Sequence, residues 1–202
     1  MLKSKNKGLL IIISSPSGAG KTTIAKKLIS ENLNIELSVS LTTRTPRNGE
    51  IDGIDYKFVS KDLFKKKIKK KLFLEYAKVF DNLYGTLKSE VTSKLDNGKN
   101  ILLDIDWQGA RQVRKKFNNH TLSIFILPPS LKELKQRLKK RENNLSFVNK
   151  RMGKAKKEIM HWHEYDYVVI NQNLNKCIKI IKNIIFSENY RPIRQSMANF
   201  KY

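Results

Sequence analysis

Apolar residues along the chain recur in two rhythms. Largely apolar runs at residues 9–13, 101–106, 122–127 and 167–171 read as strands, that at 101–106 as a buried one ending in two carboxylates. Segments between them carry apolar positions at helical spacing: Ile24, Ala25, Leu28 and Ile29 first, then residues 107–117, 130–141, 147–163 and 174–188. A short strand is expected at 35–40. Strands alternating with helices predict an α/β core built on a parallel sheet.

Residues 41–87 break that rhythm. A polar, turn-rich stretch at 41–50 leads through Asp52-Gly53 to an alternating strand at 55–60. Ser60 is placed to cap a helix over 61–71 with Leu63, Phe64 and Ile68 inward. A strand at 72–80 carries Glu75, a turn follows at Asp81-Asn82, and Leu83-Tyr84-Gly85-Thr86 precede a helix at 88–95. The pattern predicts a small β-rich lobe, 41–87, inserted into a core of 1–40 and 88–202. Residues 191–202 show no pattern and read as a loosely ordered tail.

A chain of 202 residues can bury one sizeable core with room for inserted lobes. The single cysteine, Cys177, cannot form an internal disulfide and reads as a core or boundary residue. The basic start and the apolar run at 9–13 run straight into a glycine-rich loop that leader cleavage would destroy. No stretch approaches the roughly 18 apolar residues of a membrane span. The expectation is a cytoplasmic protein with no membrane partner. The formal charge of +23, from 41 basic and 18 acidic residues, raises nucleic-acid binding. The excess lies in runs such as Lys65–Lys67 and Lys69–Lys71 without interleaved aromatics, which fits a solvated lysine surface. No specific nucleic-acid partner is expected.

The first apolar run ends in Ser15, Pro16, Ser17, Gly18, Ala19, Gly20, Lys21, Thr22 and Thr23, and a helix follows. Strand, glycine-rich turn and helix make the context of a phosphate-binding loop. Glycines let the backbone curl its N–H groups toward phosphate oxygens, and the helix start adds a positive end. Lys21 supplies a mobile charge for the outer phosphates and the Thr22 hydroxyl suits Mg²⁺. Such a loop binds a nucleoside triphosphate. Ser15 stands where the pattern has glycine.

Arg44 and Arg47 flank a proline in a turn, with Tyr56 nearby. Guanidinium forks and a phenol suit a phosphate monoester. The stretch 38–50 (Ser-Val-Ser-Leu-Thr-Thr-Arg-Thr-Pro-Arg-Asn-Gly-Glu) with Asp55-Tyr56 resembles the GMP-binding signature of guanylate kinases. Leu103-Asp104-Ile105-Asp106-Trp107-Gln108-Gly109 and Val168-Val169-Ile170-Asn171 resemble that family too, and the likeness runs in order from about Leu9 to Glu188.

The resemblance implies a three-layer phosphate-loop core, a monophosphate-binding lobe and a helical lid at about 135–155. It implies that Ser40, Glu75, Thr86 and Asp106 contact guanine. Arg44, Arg47, Tyr56 and Tyr84 would hold the GMP phosphate, supported by Glu50. Asp104 would approach Mg²⁺ through its water shell beside the GMP site. Arg137, Arg141 and Arg151 would be lid and transfer-site arginines, acting with Lys21 and Arg44, and Asn171 would lie near the adenine of ATP. The implied reaction is Mg²⁺-dependent phosphoryl transfer from ATP to GMP, and to dGMP. Thr86 where serine is common, and a lid turn at 142–149 that is short and lacks the usual acids, depart from the family pattern.

Each residue also has a plainer role open to it: Asp106 as a helix cap, Asp104 paired with a lysine, Glu75 on a surface strand, the lid arginines as solvated charges. His120, His161 and His163 fit no catalytic pattern, and Trp107 and Trp162 read as packing residues. Another small phosphate-loop kinase and a non-catalytic guanylate-kinase-like interaction module are the alternatives. A homo-oligomer is compatible with the sequence, which does not decide it.

Overall fold

The structure is a computed structural model that describes residues 7–31, 34–117, 120–141 and 144–194; for Arg141 only the backbone is described. The chain divides into two compact units, Met1–Ile12 with Asn34–Thr121, and Ile13–Leu33 with Leu122–Tyr202. The boundary falls inside the first strand, β1 (Leu10–Ser14), whose five residues are all buried. A continuous apolar run is what a strand covered on both faces needs.

The first unit holds β2 (Ile35–Leu37), β3 (Leu41–Thr42), β4 (Lys57–Phe58), α2 (Lys61–Lys69), β5 (Phe73–Val79), β6 (Asn82–Leu87), α3 (Lys88–Asp96), β7 (Asn100–Asp104) and α4 (Trp107–Phe117). β2 pairs in parallel with β7. A separate four-stranded sheet runs β4-β3-β6-β5 and lies wholly within residues 41–87. Its core is Leu41, Phe64 and Phe73, joined by Val59, Ile68, Leu83 and Leu87. The Phe64 and Phe73 rings stack at 4.5 Å, a pair worth about 1 kcal/mol beyond the area it buries. The Ser60 Oγ accepts from the Leu63 N–H, the expected cap, which contributes about 1 kcal/mol.

The second unit holds α1 (Lys21–Ser30), β8 (Thr121–Leu127), α5 (Leu131–Arg141), α6 (Leu145–Ile159), β9 (Tyr167–Ile170) and α7 (Leu174–Glu188). β8 and β9 pair in parallel, with Ile124 opposite Tyr167 and Leu127 opposite Ile170. α5 and α6 form a hairpin closed over Leu134, Leu138, Val148 and Ala155, with Met152 against them. Buried Cys177 lies on the inner face of α7 with Ile178, Ile181 and Ile185.

Four expectations need correction. The strand at 55–60 shrinks to Lys57–Phe58, because Gly53 takes a left-handed φ of 77° and its N–H bonds the Tyr56 carbonyl, closing a turn. Residues 41–50 are not all turn: Leu41–Thr42 is a strand that pairs with both β4 and β6. Leu63 is 44% exposed, since Phe64 and Ile68, four apart, define the inward face of α2. Trp162 is also exposed, because α6 ends at Ile159 and Trp162 falls in a 3₁₀ turn. The described part of the 191–202 tail is a 3₁₀ turn, Pro192–Arg194, and the rest lies outside the described residues, as do Glu142 and Asn143 of the lid turn.

Candidate active site

In the second unit, β1 delivers the chain into the phosphate loop and α1 leaves it. Gly18 and Gly20 have φ of 93° and 100°, the left-handed region that only glycine enters cheaply. Space excludes a side chain as well. A Cβ on Gly18 would press on Leu134 and Leu138, and one on Gly20 would lie 2.6 Å from the Asn171 Nδ2. Ser15 is not among the positive-φ residues, so glycine's freedom is not needed there and its Oγ simply bonds the Pro16 carbonyl. Gly20 caps α1, so Lys21 and the exposed Thr22 open its first turn, where the positive end of the helix dipole favours an anion.

Three side chains of this unit hold the loop. Asn171, at the end of β9 and only 6% exposed, donates its Nδ2 to the Ala19 carbonyl at 2.8 Å. Arg151 on α6 donates Nη1 to the Ser17 Oγ at 3.1 Å, and Glu158 on the same helix accepts the Ser17 N–H at 3.3 Å. Arg137 bridges Glu133 and the Asn171 carbonyl. Arg137 and Arg151 therefore both reach residues that form or support the loop, whereas the Arg141 side chain lies outside the described residues.

The first unit builds two features on the small sheet. The first is a cluster of arginine, glutamate and tyrosine side chains. Arg44 donates to the Glu50 carboxylate at 2.9 Å and lies over the rings of Tyr56 and Phe58, 5.4 and 5.8 Å from their centres. Burial opposes the Arg44 charge, but Glu50 and Tyr84 outweigh it and raise its pKa. Burial likewise pushes Glu50 up, and Arg44 with the Arg47 N–H, 2.8 Å away, brings it below the ordinary carboxylate value. Glu50 thus ties one arginine's side chain to the other's backbone. The Arg47 side chain is exposed, and the Tyr56 and Tyr84 rings meet edge to face at 6.0 Å.

The second feature is a buried carboxylate. A bulge between Phe73 and Glu75 brings Phe73, Leu74 and Glu75 inside in succession and sets Glu75 opposite Thr86. Glu75 is 3% exposed. Burial dominates its pKa and nearby Asp106 adds to it, so that despite the Thr86 hydrogen bonds it is pushed up to about 7. Ser40 and Thr86 hydroxyls sit 3.2 Å apart. Asp106 does cap α4: its Oδ1 accepts the Gln108 and Gly109 N–H groups, and its Oδ2 accepts from the Gln108 side chain. Carboxylate oxygens have further lone pairs, so the cap leaves capacity for a ligand. Asp104 ends β7, partly exposed.

Gln112 and Glu158 were not recognisable as site residues in the sequence, and Gly109 stood out only as the end of the stretch 103–109. Gln112 bonds both backbone groups of Tyr76 and so pins α4 to β5. A Cβ on Gly109 would lie 2.3 Å from the Glu75 Oε2. Gly109→Ala should therefore displace the carboxylate and raise the KM for the acceptor at least about tenfold. Helix propensity alone would make it neutral or stabilising by ~1 kcal/mol. Steady-state kinetics alongside a melting curve decide between the two. The only signal in sequence for Glu158 is an acid on the same helical stripe as Val148, Arg151 and Ala155.

Comparison with known proteins adds independent findings. The family model described as guanylate kinase matches residues 7–188. A guanylate kinase of Zymomonas mobilis is 48% identical over 94% of this chain and 88% of its own length. One of Rickettsia prowazekii is 50% identical over 93% and 95%. The crystal structure of guanylate kinase from Anaplasma phagocytophilum superposes with a TM-score of 0.82 at 38% identity, covering 98% of this chain and 93% of that one. The SH3-kinase fragment of tight junction protein 3, at 13% identity and a TM-score of 0.51, shares the fold alone.

Proposed function

This chain belongs to the guanylate kinase family, an ATP:GMP phosphotransferase, and from that premise we propose how its residues divide the reaction. The phosphate loop, Ser15 to Thr23, takes ATP, with Asn171 beneath it. The lobe at 41–87 takes GMP or dGMP, and the core comprises 1–40 and 88–202 with its lid at 135–155. The observation that carries the acceptor assignment is the presence in one unit of an arginine-tyrosine anion site and a buried carboxylate with two hydroxyls. Tyr84 and Thr86 lie two apart on β6, on one face of the strand, so the two features share a surface.

Guanine offers N1–H and a 2-amino group on one edge, and Glu75 with Asp106 can accept both. Ser40 and Thr86 can donate to ring acceptors. Arg44, Arg47, Tyr56 and Tyr84 hold the phosphate, and Glu50 fixes Arg44. The acceptor is itself a phosphate with a second pKa of about 6, so near neutral pH it is largely dianionic and needs no general base. Charge must instead be stabilised as two polyanions meet in line. Lys21, Arg44, Arg137, Arg141 and Arg151 supply that, and closure of the lid excludes water. The Thr22 hydroxyl and, through water, the Asp104 carboxylate are oxygen donors of the kind Mg²⁺ accepts alongside substrate phosphates. When bound, Mg²⁺ would neutralise developing phosphate charge.

Among the described residues no helix is long and apolar enough to cross a membrane, and we place the protein in the cytoplasm. Its partners in this reading are the two nucleotides, without specific nucleic acid. A coupled assay of ADP release across GMP, AMP, CMP and UMP tests the activity, and comparable turnover on AMP would refute it. In the same assay Arg44→Ala should raise the GMP KM at least about tenfold and leave the ATP KM within about twofold, since only a charge-assisted contact to the acceptor is lost. A shift in ATP KM instead would move Arg44 out of the acceptor site.

A further inference from the structure

Glu158 is a buried acid that the transfer chemistry above leaves without work. It is 7% exposed near the end of α6, on the stripe that also carries Arg151 and Ala155. Its Oε2 accepts the Ser17 N–H at 3.3 Å and its Oε1 lies 3.4 Å from the Lys154 Nζ. Two turns earlier on the helix, Arg151 donates to the Ser17 Oγ at 3.1 Å. One helix of the lid hairpin therefore holds Ser17 by both its backbone and its side chain. Burial pushes the Glu158 pKa up, while the charges of Lys154 and Lys21 and the Ser17 N–H oppose it.

Phosphate loops work by aiming backbone N–H groups and a lysine at an anion. The Glu158 carboxyl accepts from the Ser17 N–H of this loop, and the charge of the loop lysine acts on it. A buried carboxylate is costly without compensation, and here the loop provides part of it. We propose that Glu158 is a positioning residue for triphosphate binding. It holds Ser17 in the loop's binding conformation and, with Arg151, ties the lid hairpin to the loop. The effect belongs to the donor nucleotide and not to the acceptor, because both contacts end on Ser17.

The inference rests on the reading that this loop takes ATP. It is tested by calorimetric titration of the full chain with a non-hydrolysable ATP analogue and Mg²⁺, and separately with GMP. Glu158→Ala should weaken the analogue at least tenfold and leave GMP affinity within about twofold. Glu158→Gln, which keeps the acceptor oxygen, should recover most of the loss. Glu158→Asp, which keeps the charge but falls short of the Ser17 N–H, should behave like alanine and decides the question if the alanine variant does not fold. Analogue affinity in folded Glu158→Ala or Glu158→Asp equal to or tighter than wild type would overturn the proposal, as would an equal loss for GMP. Failure of the wild-type chain to bind the analogue would instead overturn the loop reading itself, and this proposal with it.

Discussion

Lys21→Ala should lower turnover at least about a hundredfold while the protein stays folded. Lys21 is the first residue of α1, and the helix is anchored by Ile24, Ala25 and Leu28, all buried, which the substitution leaves in place. Alanine is also the best helix former, which protects α1. What disappears is a preorganised charge at the transferring phosphate, and such a group contributes several kcal/mol to the transition state. Single-turnover rates with circular dichroism of the same preparation separate chemistry from folding. A folded variant with near-normal turnover would remove the phosphate loop from the mechanism.

Glu75→Gln should cost about a hundredfold or more in kcat/KM for GMP and flatten its pH dependence. A buried carboxylate can accept from guanine N1–H and the 2-amino group, and hydrogen bonds to a charged group are worth ~1.5–3 kcal/mol each. Adenine has an acceptor at N1, which would leave the carboxylate unpaired; sites of this kind discriminate by roughly 10⁴. The Glu75 pKa near 7 sets the sign. Below pH 7 the free protein holds the protonated acid, which donates where guanine needs an acceptor, so the GMP KM should rise about tenfold per pH unit. Above pH 7 it should level off. The acceptor's own phosphate titrates near 6, and that inflection should survive in Glu75→Gln while the one near 7 vanishes.

Stability should move the other way. A carboxyl whose folded pKa is raised from 4.5 to about 7 contributes most below pH 4.5, and that contribution is lost as pH rises through 7. The difference is of order 3 kcal/mol for the unliganded protein. Glu75→Gln should therefore melt higher than wild type at pH 8 although it phosphorylates GMP poorly. An unchanged pH profile in the variant would take Glu75 out of base recognition.

Much of the molecule could be read from residues close together in the chain. The phosphate loop depends on a strand, two glycines, a lysine and a hydroxyl within a short stretch. α4 and α7 occupy the very residues their apolar spacing marks, because each helix repeats its pattern over three or more turns. The order of the arginine turn, the Asp104-Asp106 strand end and the Asn171 strand end was enough to mark the family.

Tertiary structure decided the rest, for a common reason: the deciding contacts join residues far apart in sequence. β3 and β4 are two residues each, too short for any periodicity, and exist only because they pair with each other and β3 with β6. The strand carrying Glu75 looks alternating, yet a bulge set by pairing with β6 turns that carboxylate inward. Once it is buried, desolvation moves its proton affinity to neutral pH, a property that no residue pattern records. Gly109 matters only because Glu75 arrives against it, Asn171 because its amide meets Ala19, and Glu158 because α6 lies against Ser17. Sequence determined which chemical groups are present and which local turns they favour. Burial and register, which need the folded chain, determined where those groups point and which charges they keep.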